Sequence, residues 1–410
     1  MKQLLTPILY IIAITPLASA AEIRTATDKF DDTVSGIRKV DGKLVLFTQG
    51  GKSSPLEKVK EIRFSDKQAA KLHDAHLYLL SGDEVVGTVG DEVKSGESFK
   101  LSTVSLGNVE VNLDALAAVL FDVPADKEEP FARKRFPWLQ GKGARPKHDS
   151  FTLRGEKAGA EGTVQSFSKE GLVFKDVADT VWPSFPLRRV ESLVLGGEPA
   201  KPRPAGVRIL LRMGDGSILT GAVVKLEDQK LQIEHALGKN GPLTLDLSQV
   251  LSLEVLGGAF VYLSDLTPDA VEEKFPEGFE RDAETWTWKR DREVTGNPLK
   301  LGNHIYPKGI GVQSYSSLTF ALDGSFRELR LVVGIDDSTK YLGSPGLGSV
   351  TFRVLLDGKV AKEIKKARGD APDEVAVPLG GAKKLALVAD YGTYFHILGR
   401  ADWADACLVK

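Results

Sequence analysis

The chain has 410 residues, 42% of them hydrophobic and 27% charged, which is the composition of globular domains and not of a disordered or fibrous chain. At roughly 100–200 residues per domain the length suits two to four domains. The 54 basic residues nearly balance the 56 acidic ones, so nothing asks for a nucleic-acid partner, and the single cysteine, Cys407, excludes an intrachain disulfide or a multi-cysteine metal site.

Residues 1–20 read as a signal peptide. Lys2 opens the segment, 4–17 is almost wholly apolar, and Ala18-Ser19-Ala20 puts small residues where a signal peptidase cuts. The apolar run is shorter than the ~20 residues that a membrane span needs. No later stretch reads as a span, so no membrane crossing is expected after its removal. The expectation is an exported protein of the periplasm, the cell surface or the surrounding medium.

From 21 to 258 short apolar runs alternate between glycine and aspartate turns, the pattern of strands. Short helices are expected only at 67–72 and 113–118. A hairpin is expected where 207–212 and 218–224 flank Gly214-Asp215-Gly216-Ser217. The plan repeats. Gly162-Thr163-Val164 corresponds to Gly221-Ala222-Val223, and Val190-Glu191-Ser192-Leu193 to Val250-Leu251-Ser252-Leu253. Gly87-Thr88-Val89 and Gly36 start earlier copies. Four small β units are expected, at 21–66, 67–123, 149–197 and 206–258. They are weakly similar to SH3-like and Sm-like barrels, which act as spacers, protein contacts or ligand-binding modules.

Residues 124–148 form a linker whose basic part carries Arg133, Lys134, Arg135, Lys142, Arg145 and Lys147 around Phe136 and Trp138. Basic residues with aromatics can bind nucleic acid. For an exported chain the expected use is instead to dock the aromatics on a neighbouring unit. A second, proline-rich linker occupies 198–205.

After Gly258 the composition shifts: three of the five tryptophans and six of the eight tyrosines lie beyond it. Strands are expected at 259–263, 309–313, 317–322, 329–333, 350–356, 375–377 and 384–388, with Asp323-Gly324 and Asp357-Gly358 as turns. Seven or eight strands in one piece suit a two-sheet jelly roll.

Several motifs stand in order here. They are Lys308-Gly309-Ile310-Gly311-Val312-Gln313-Ser314, Val333-Gly334-Ile335-Asp336-Asp337, Gly348-Ser349-Val350-Thr351-Phe352, Asp357-Gly358-Lys359 and Ala401-Asp402-Trp403-Ala404-Asp405-Ala406. Residues 259–410 thereby resemble the NPCBM family of carbohydrate-binding modules, which are often attached to glycoside hydrolases, including family 98. The resemblance implies a galactose-binding-like β-sandwich. It also implies recognition of galactose-containing glycans, and that calcium can be present. The family commonly carries histidine where this chain has Gln313, and again directly before the Ala-Asp-Trp run, where Arg400 stands with His396 four residues earlier.

Candidate sugar contacts are Gln313, Tyr315, Tyr391, Tyr394, His396, Asp402 and Trp403. Trp403 reads two ways: a face for stacking on a pyranose with carboxylates accepting its hydroxyls, or a core tryptophan. The aromatic segment 390–399 is the best loop for a ligand. Asp336 and Asp337 are candidate calcium ligands, although calcium needs six to eight oxygens and a turn cap is the alternative.

No Gly-x-Ser-x-Gly, His-Glu-x-x-His or P-loop sequence occurs, and no βα repeat builds a catalytic barrel. Cys407 reads as a packed thiol. The sequence thus predicts an exported, all-β, non-catalytic protein. Its first expected partner is a glycan, with protein partners through the N-terminal units as an addition. The rival reading is a periplasmic or surface scaffold whose sandwich has no working sugar site; a glycoside-hydrolase accessory or enzyme is a more distant third.

Overall fold

A computed structural model describes residues 20–410 apart from 26–28, 66–74, 95, 123–131, 133–134, 141–143, 157–158, 198–205, 239–240, 275–285 and 345. The expected signal segment up to residue 19, the short helix at 67–72 and the linker at 198–205 therefore lie outside the described residues. The chain divides into two compact units, 1–258 and 259–410. Both are all-β. Among the described residues no helix is long and apolar enough to cross a membrane, a statement that does not extend to strands.

In residues 1–258 one short plan occurs four times. Its opening strands are Ala21–Thr25, Ala75–Leu79, Asp149–Leu153 and Arg208–Met213. Its closing strands are Val59–Arg63, Leu116–Phe121, Val190–Val194 and Val250–Leu256. One 3-10 turn beginning with leucine precedes each closing strand: Leu56–Lys58, Leu113–Ala115, Leu187–Arg189 and Leu247–Gln249. Each opening strand runs antiparallel to the closing strand of its own copy. Ile23 faces Ile62, Leu77 faces Val119, Phe151 faces Leu193 and Leu211 faces Leu253. All eight side chains are buried in one continuous core.

Closing strands also pair with each other, the first with the fourth and the second with the third. Every closing strand thus has a partner on both sides, which removes the exposed edges that a fifty-residue barrel would otherwise present. The expected hairpin is present, with Arg212 opposite Ile218. The short helix expected at 113–118 is corrected: only 113–115 is helical, and Leu116–Phe121 is a strand. All six residues of that strand are buried. A strand buried on both faces reads as a continuous apolar run, which periodicity alone does not separate from a helix.

The described part of the 124–148 linker docks as expected. Phe136 is buried among Tyr78, Ala118, Leu120 and Val194, with Trp138 against them. Arg135 pairs with Glu191 at 3.2 Å, and Arg145 donates to the carbonyls of Leu195 and Gly196. Arg133, Lys134 and Lys142 lie outside the described residues.

The second and fourth copies are stitched together reciprocally. Asp83 Oδ1 accepts the Thr220 N–H at 2.7 Å, and Ser217 Oγ accepts the Val86 N–H at 3.1 Å. Each acceptor follows a turn glycine, Gly82 or Gly216, and each donor precedes a strand glycine, Gly87 or Gly221. Asp83 Oδ2 also accepts from Ser81 Oγ at 2.5 Å and from His235 Nε2 at 3.0 Å. His235 Nδ1 accepts the Leu237 N–H, so the ring proton sits on Nε2, toward Asp83. Burial pushes the Asp83 carboxyl up, but the bonds from His235, Ser81 and Thr220 outweigh it and the net shift is downward.

Residues 259–410 form a two-sheet sandwich. One sheet runs Lys289–Arg290, Gly309–Gln313, Arg400–Val409, Glu328–Ile335, Asp373–Pro378, with Phe260–Tyr262 also on the closing strand. The other runs Ala270–Glu273, Ser316–Ala321, Lys384–Tyr391, Ser349–Leu356, Lys359–Ala367. Ile310, Val312, Phe320, Phe352, Leu387 and Trp403 belong to the core that both sheets share. Asp357 and Gly358 take φ of 48° and 81° and join two strands in a two-residue hairpin, with Leu356 opposite Lys359. Cys407 is buried, as a packed thiol should be.

Candidate functional site

Three loops meet at one end of the sandwich: 313–316, 336–348 and 391–399. The last connects Lys384–Tyr391 to the closing strand. It is tied down by the Gln313 side-chain amide, which donates to the His396 carbonyl, and by the Ser314 N–H to the Gly399 carbonyl at 3.0 Å. The Thr393 N–H donates to Ser349 Oγ at 2.8 Å. Leu398 lies against 336–348: a Cβ at Gly348 would sit 3.1 Å from the Leu398 carbonyl oxygen. That second loop is held by the Arg368 guanidinium, which donates to the carbonyls of Thr339, Leu342 and Ser344.

These loops present aromatic side chains to solvent. Tyr341 is 89% exposed, Phe395 64% and Tyr394 46%. Behind them Tyr391 lies 6.1 Å from Phe395 and 6.0 Å from Tyr315, centroid to centroid. The Tyr391 hydroxyl donates to the Lys274 carbonyl, and Lys274 Nζ stands 5.2 Å over the Tyr315 ring. The result is a row of half-buried and exposed rings fixed at its base. Such rings stack on the apolar face of a sugar while adjacent polar groups meet its hydroxyls.

Four expected contacts, Tyr315, Tyr391, Tyr394 and His396, are brought to this end. Burial lowers the His396 imidazole below its ordinary value, favouring the neutral ring. Gln313 is at the same end but 4% exposed, with its amide nitrogen spent on the His396 carbonyl, so it supports the loop from beneath. Phe395 and Tyr341 were not singled out in the sequence. Phe395 stood within the aromatic segment that was, whereas Tyr341 is a lone aromatic in a glycine-rich loop.

The surface roles expected for Trp403 and Asp402 are corrected. Trp403 is fully buried and packs edge-on against Phe352 at 5.0 Å, so no ring face is open to a sugar. Asp402 points to the other face of the strand and is equally buried. Its lateral neighbours are Gly311 and Gly334. A Cβ at Gly311 would come within 2.3 Å of the Arg292 carbonyl oxygen, because the chain around 292–301 covers that face. Burial, and next the charge of Asp336, push the Asp402 carboxyl well above the usual carboxylate range.

Asp336 and Asp337 clamp a neighbouring hairpin, Leu299–Leu301 and His304–Tyr306. Asp336 accepts the N–H groups of Ser338 at 2.7 Å and Lys300 at 2.9 Å. Asp337 accepts those of Gly302 at 3.2 Å and Asn303 at 2.7 Å. Among the described residues no group of three or more His, Cys, Asp or Glu side chains is arranged to hold a metal ion. Both carboxylates thus cap backbone amides, which is the turn-cap alternative to the calcium role.

Residues 260–409 match the family model described as the NPCBM/NEW2 domain. A curated relative from Renibacterium salmoninarum, named "Putative endo-alpha-N-acetylgalactosaminidase", is 34% identical over 112 residues, covering 27% of this chain. This chain spans only 7% of that protein's length. Among solved structures, a CBM51 module from Clostridium perfringens GH95 in complex with methyl-galactose is 24% identical. The alignment covers 37% of this chain and 99% of the other, with a TM-score of 0.32. A structure of CBM51-2 with GlcNAc and INT domains, from Clostridium perfringens ZmpB, is 23% identical. It covers 44% of this chain and 36% of its own, with a TM-score of 0.33.

Proposed function

We propose that residues 259–410 are a carbohydrate-binding module, carried by an exported, non-catalytic protein whose N-terminal β units serve as spacer and protein-contact surface. The observation that carries this reading is the row of rings at 391–395, with Tyr341 exposed on loop 336–348, at the loop end of a unit whose sequence matches the NPCBM/NEW2 model. Galactose-configured glycans are the first candidates, because the curated relative is named as a putative endo-alpha-N-acetylgalactosaminidase. Calorimetric titration of the full chain with a panel of galactosides tests it. Saturable binding is expected, and Tyr394→Ala with Phe395→Ala should weaken it by about thirtyfold, the scale of losing an aromatic hot spot of ~2 kcal/mol. Binding that ignores the double variant would remove the loop as the site.

A second reading is favoured by one contact. Gln313 spends its amide inside the protein, on the His396 carbonyl, and so withholds it from a ligand. If no glycan on the panel binds, the unit is a scaffold element, and pull-down with the full chain becomes the informative experiment.

A further inference from the structure

The closing strand, Arg400–Val409, begins with a cation that has no anionic partner among the described residues. Arg400 is half-buried, and its guanidinium is held in one place by two contacts. It donates to Ser338 Oγ at 3.1 Å, and it lies 5.4 Å over the Trp286 ring. Among the described residues no carboxylate comes within ion-pair distance of it. A guanidinium has five N–H donors in a planar fork, and here most of that fork is unspent.

Its surroundings are cationic too. Arg368 donates only to backbone carbonyls, those of Thr339, Leu342 and Ser344. Lys340 is exposed beside Tyr341, with Nζ 5.8 Å from the ring centroid. The acids at this end are already engaged. Asp390 is bound by Arg353, and both oxygens of Asp337 accept backbone N–H groups. Lys340 thus lies on loop 336–348 and Arg368 and Arg400 bond to it, and among the described residues none of the three has a carboxylate within ion-pair distance.

Arg400 also adjoins the loop that carries the aromatic row. It directly follows loop 391–399, and its strand partner is Gln313, the residue whose amide holds the His396 carbonyl. A guanidinium fixed by stacking and one hydrogen bond, at the root of the loop that carries the exposed rings, is pre-organised for an anionic group on a ligand that the rings hold.

We propose that this end selects glycans bearing an anionic substituent, with Arg400 receiving the carboxylate or sulfate while the aromatic row takes the sugar ring. The proposal rests on the glycan-binding reading above and adds the ligand's charge and the residue that senses it. Carboxylate and sulfate present the same paired oxygens to the fork, so the test separates them.

The full chain is titrated with three forms of one galactoside: neutral, sulfated, and carrying a uronic or sialic acid residue. An anionic form should bind at least tenfold more tightly than the neutral one. In Arg400→Gln that anionic-to-neutral ratio should collapse toward one, and in Arg400→Lys, which keeps the charge but loses the fork, it should be intermediate. The preference should also shrink between low salt and physiological salt. Whichever anionic form keeps the larger ratio identifies the group. Thermal melts confirm that each variant is folded, and the ratio is a readout that a merely structural Arg400 would not move. Equal affinity for neutral and anionic forms, or a ratio untouched by Arg400→Gln, would overturn the proposal while the glycan reading stands. If none of the three forms binds, the glycan reading fails as well.

Discussion

Trp403→Ala should strongly destabilise the C-terminal unit rather than trim a contact from its surface. The indole is fully buried between the two sheets, packed edge-on against Phe352, and its strand neighbours are Ile310 and Val333. Removing it leaves a cavity that the surrounding strands cannot close, because they are tied in register on both sides. Large-to-small substitutions of buried aromatics cost about 3–5 kcal/mol. That is a sizeable share of the ~5–15 kcal/mol that holds a typical domain folded. Near-UV circular dichroism during denaturant unfolding would report it. Phe395→Ala is the contrast: at 64% exposure it should move stability by no more than about 0.5 kcal/mol. A Trp403→Ala chain as stable as the wild type would contradict the burial on which the corrected assignment rests.

The second large effect belongs to the N-terminal unit. Asp83→Ala should cost about 3–5 kcal/mol, the range for removing one partner of a buried charged network. His235 Nε2–H, Ser81 Oγ and the Thr220 N–H all lose their acceptor at once. The pH dependence has a definite sign. The folded state holds this carboxyl below its ordinary value, so its proton is bound more tightly in the unfolded chain. Its contribution is present above an unfolded value of about 3.9 and is lost as the pH falls through the lower folded value. Asp83→Asn keeps the shape and removes this acid limb. Urea unfolding of both proteins from pH 7 down to pH 3 should show the wild type losing more stability than the variant. Parallel pH profiles would contradict the network.

The elements that the sequence disclosed are those with a local cause. Strand Gly309–Gln313 and the turn at Asp357-Gly358 carry their pattern within a few residues. Strand Lys359–Ala367 escaped because it has little apolar alternation: four of its nine residues are lysines, on the edge of a sheet. Lysine on an edge strand discourages pairing with other chains, so the feature that hides the strand in the sequence is part of its purpose. The Asp83–Thr220 and Ser217–Val86 bonds were invisible for a different reason. They join residues more than a hundred positions apart, and only the pairing of two copies brings them together. Trp403 was open in the sequence because the same Asp-Trp-Ala-Asp string suits a stacking face or a core. Burial decides between them, and burial depends on which sheet covers the strand. The aromatic loop was legible because four ring or histidine side chains and two glycines fall within ten residues, 390–399. Arg400 was legible only as a departure from a family pattern. That it has no carboxylate partner among the described residues could be seen only after folding.

The most direct test of the central claim, that the aromatic end of residues 259–410 holds a glycan, is amide hydrogen exchange on the full chain. It would be measured with and without the best-binding galactoside at saturation. The account predicts slower exchange in 391–399 and 338–348, with the N-terminal β units unchanged. Protection confined to the N-terminal units, or to strands away from these loops, would contradict it.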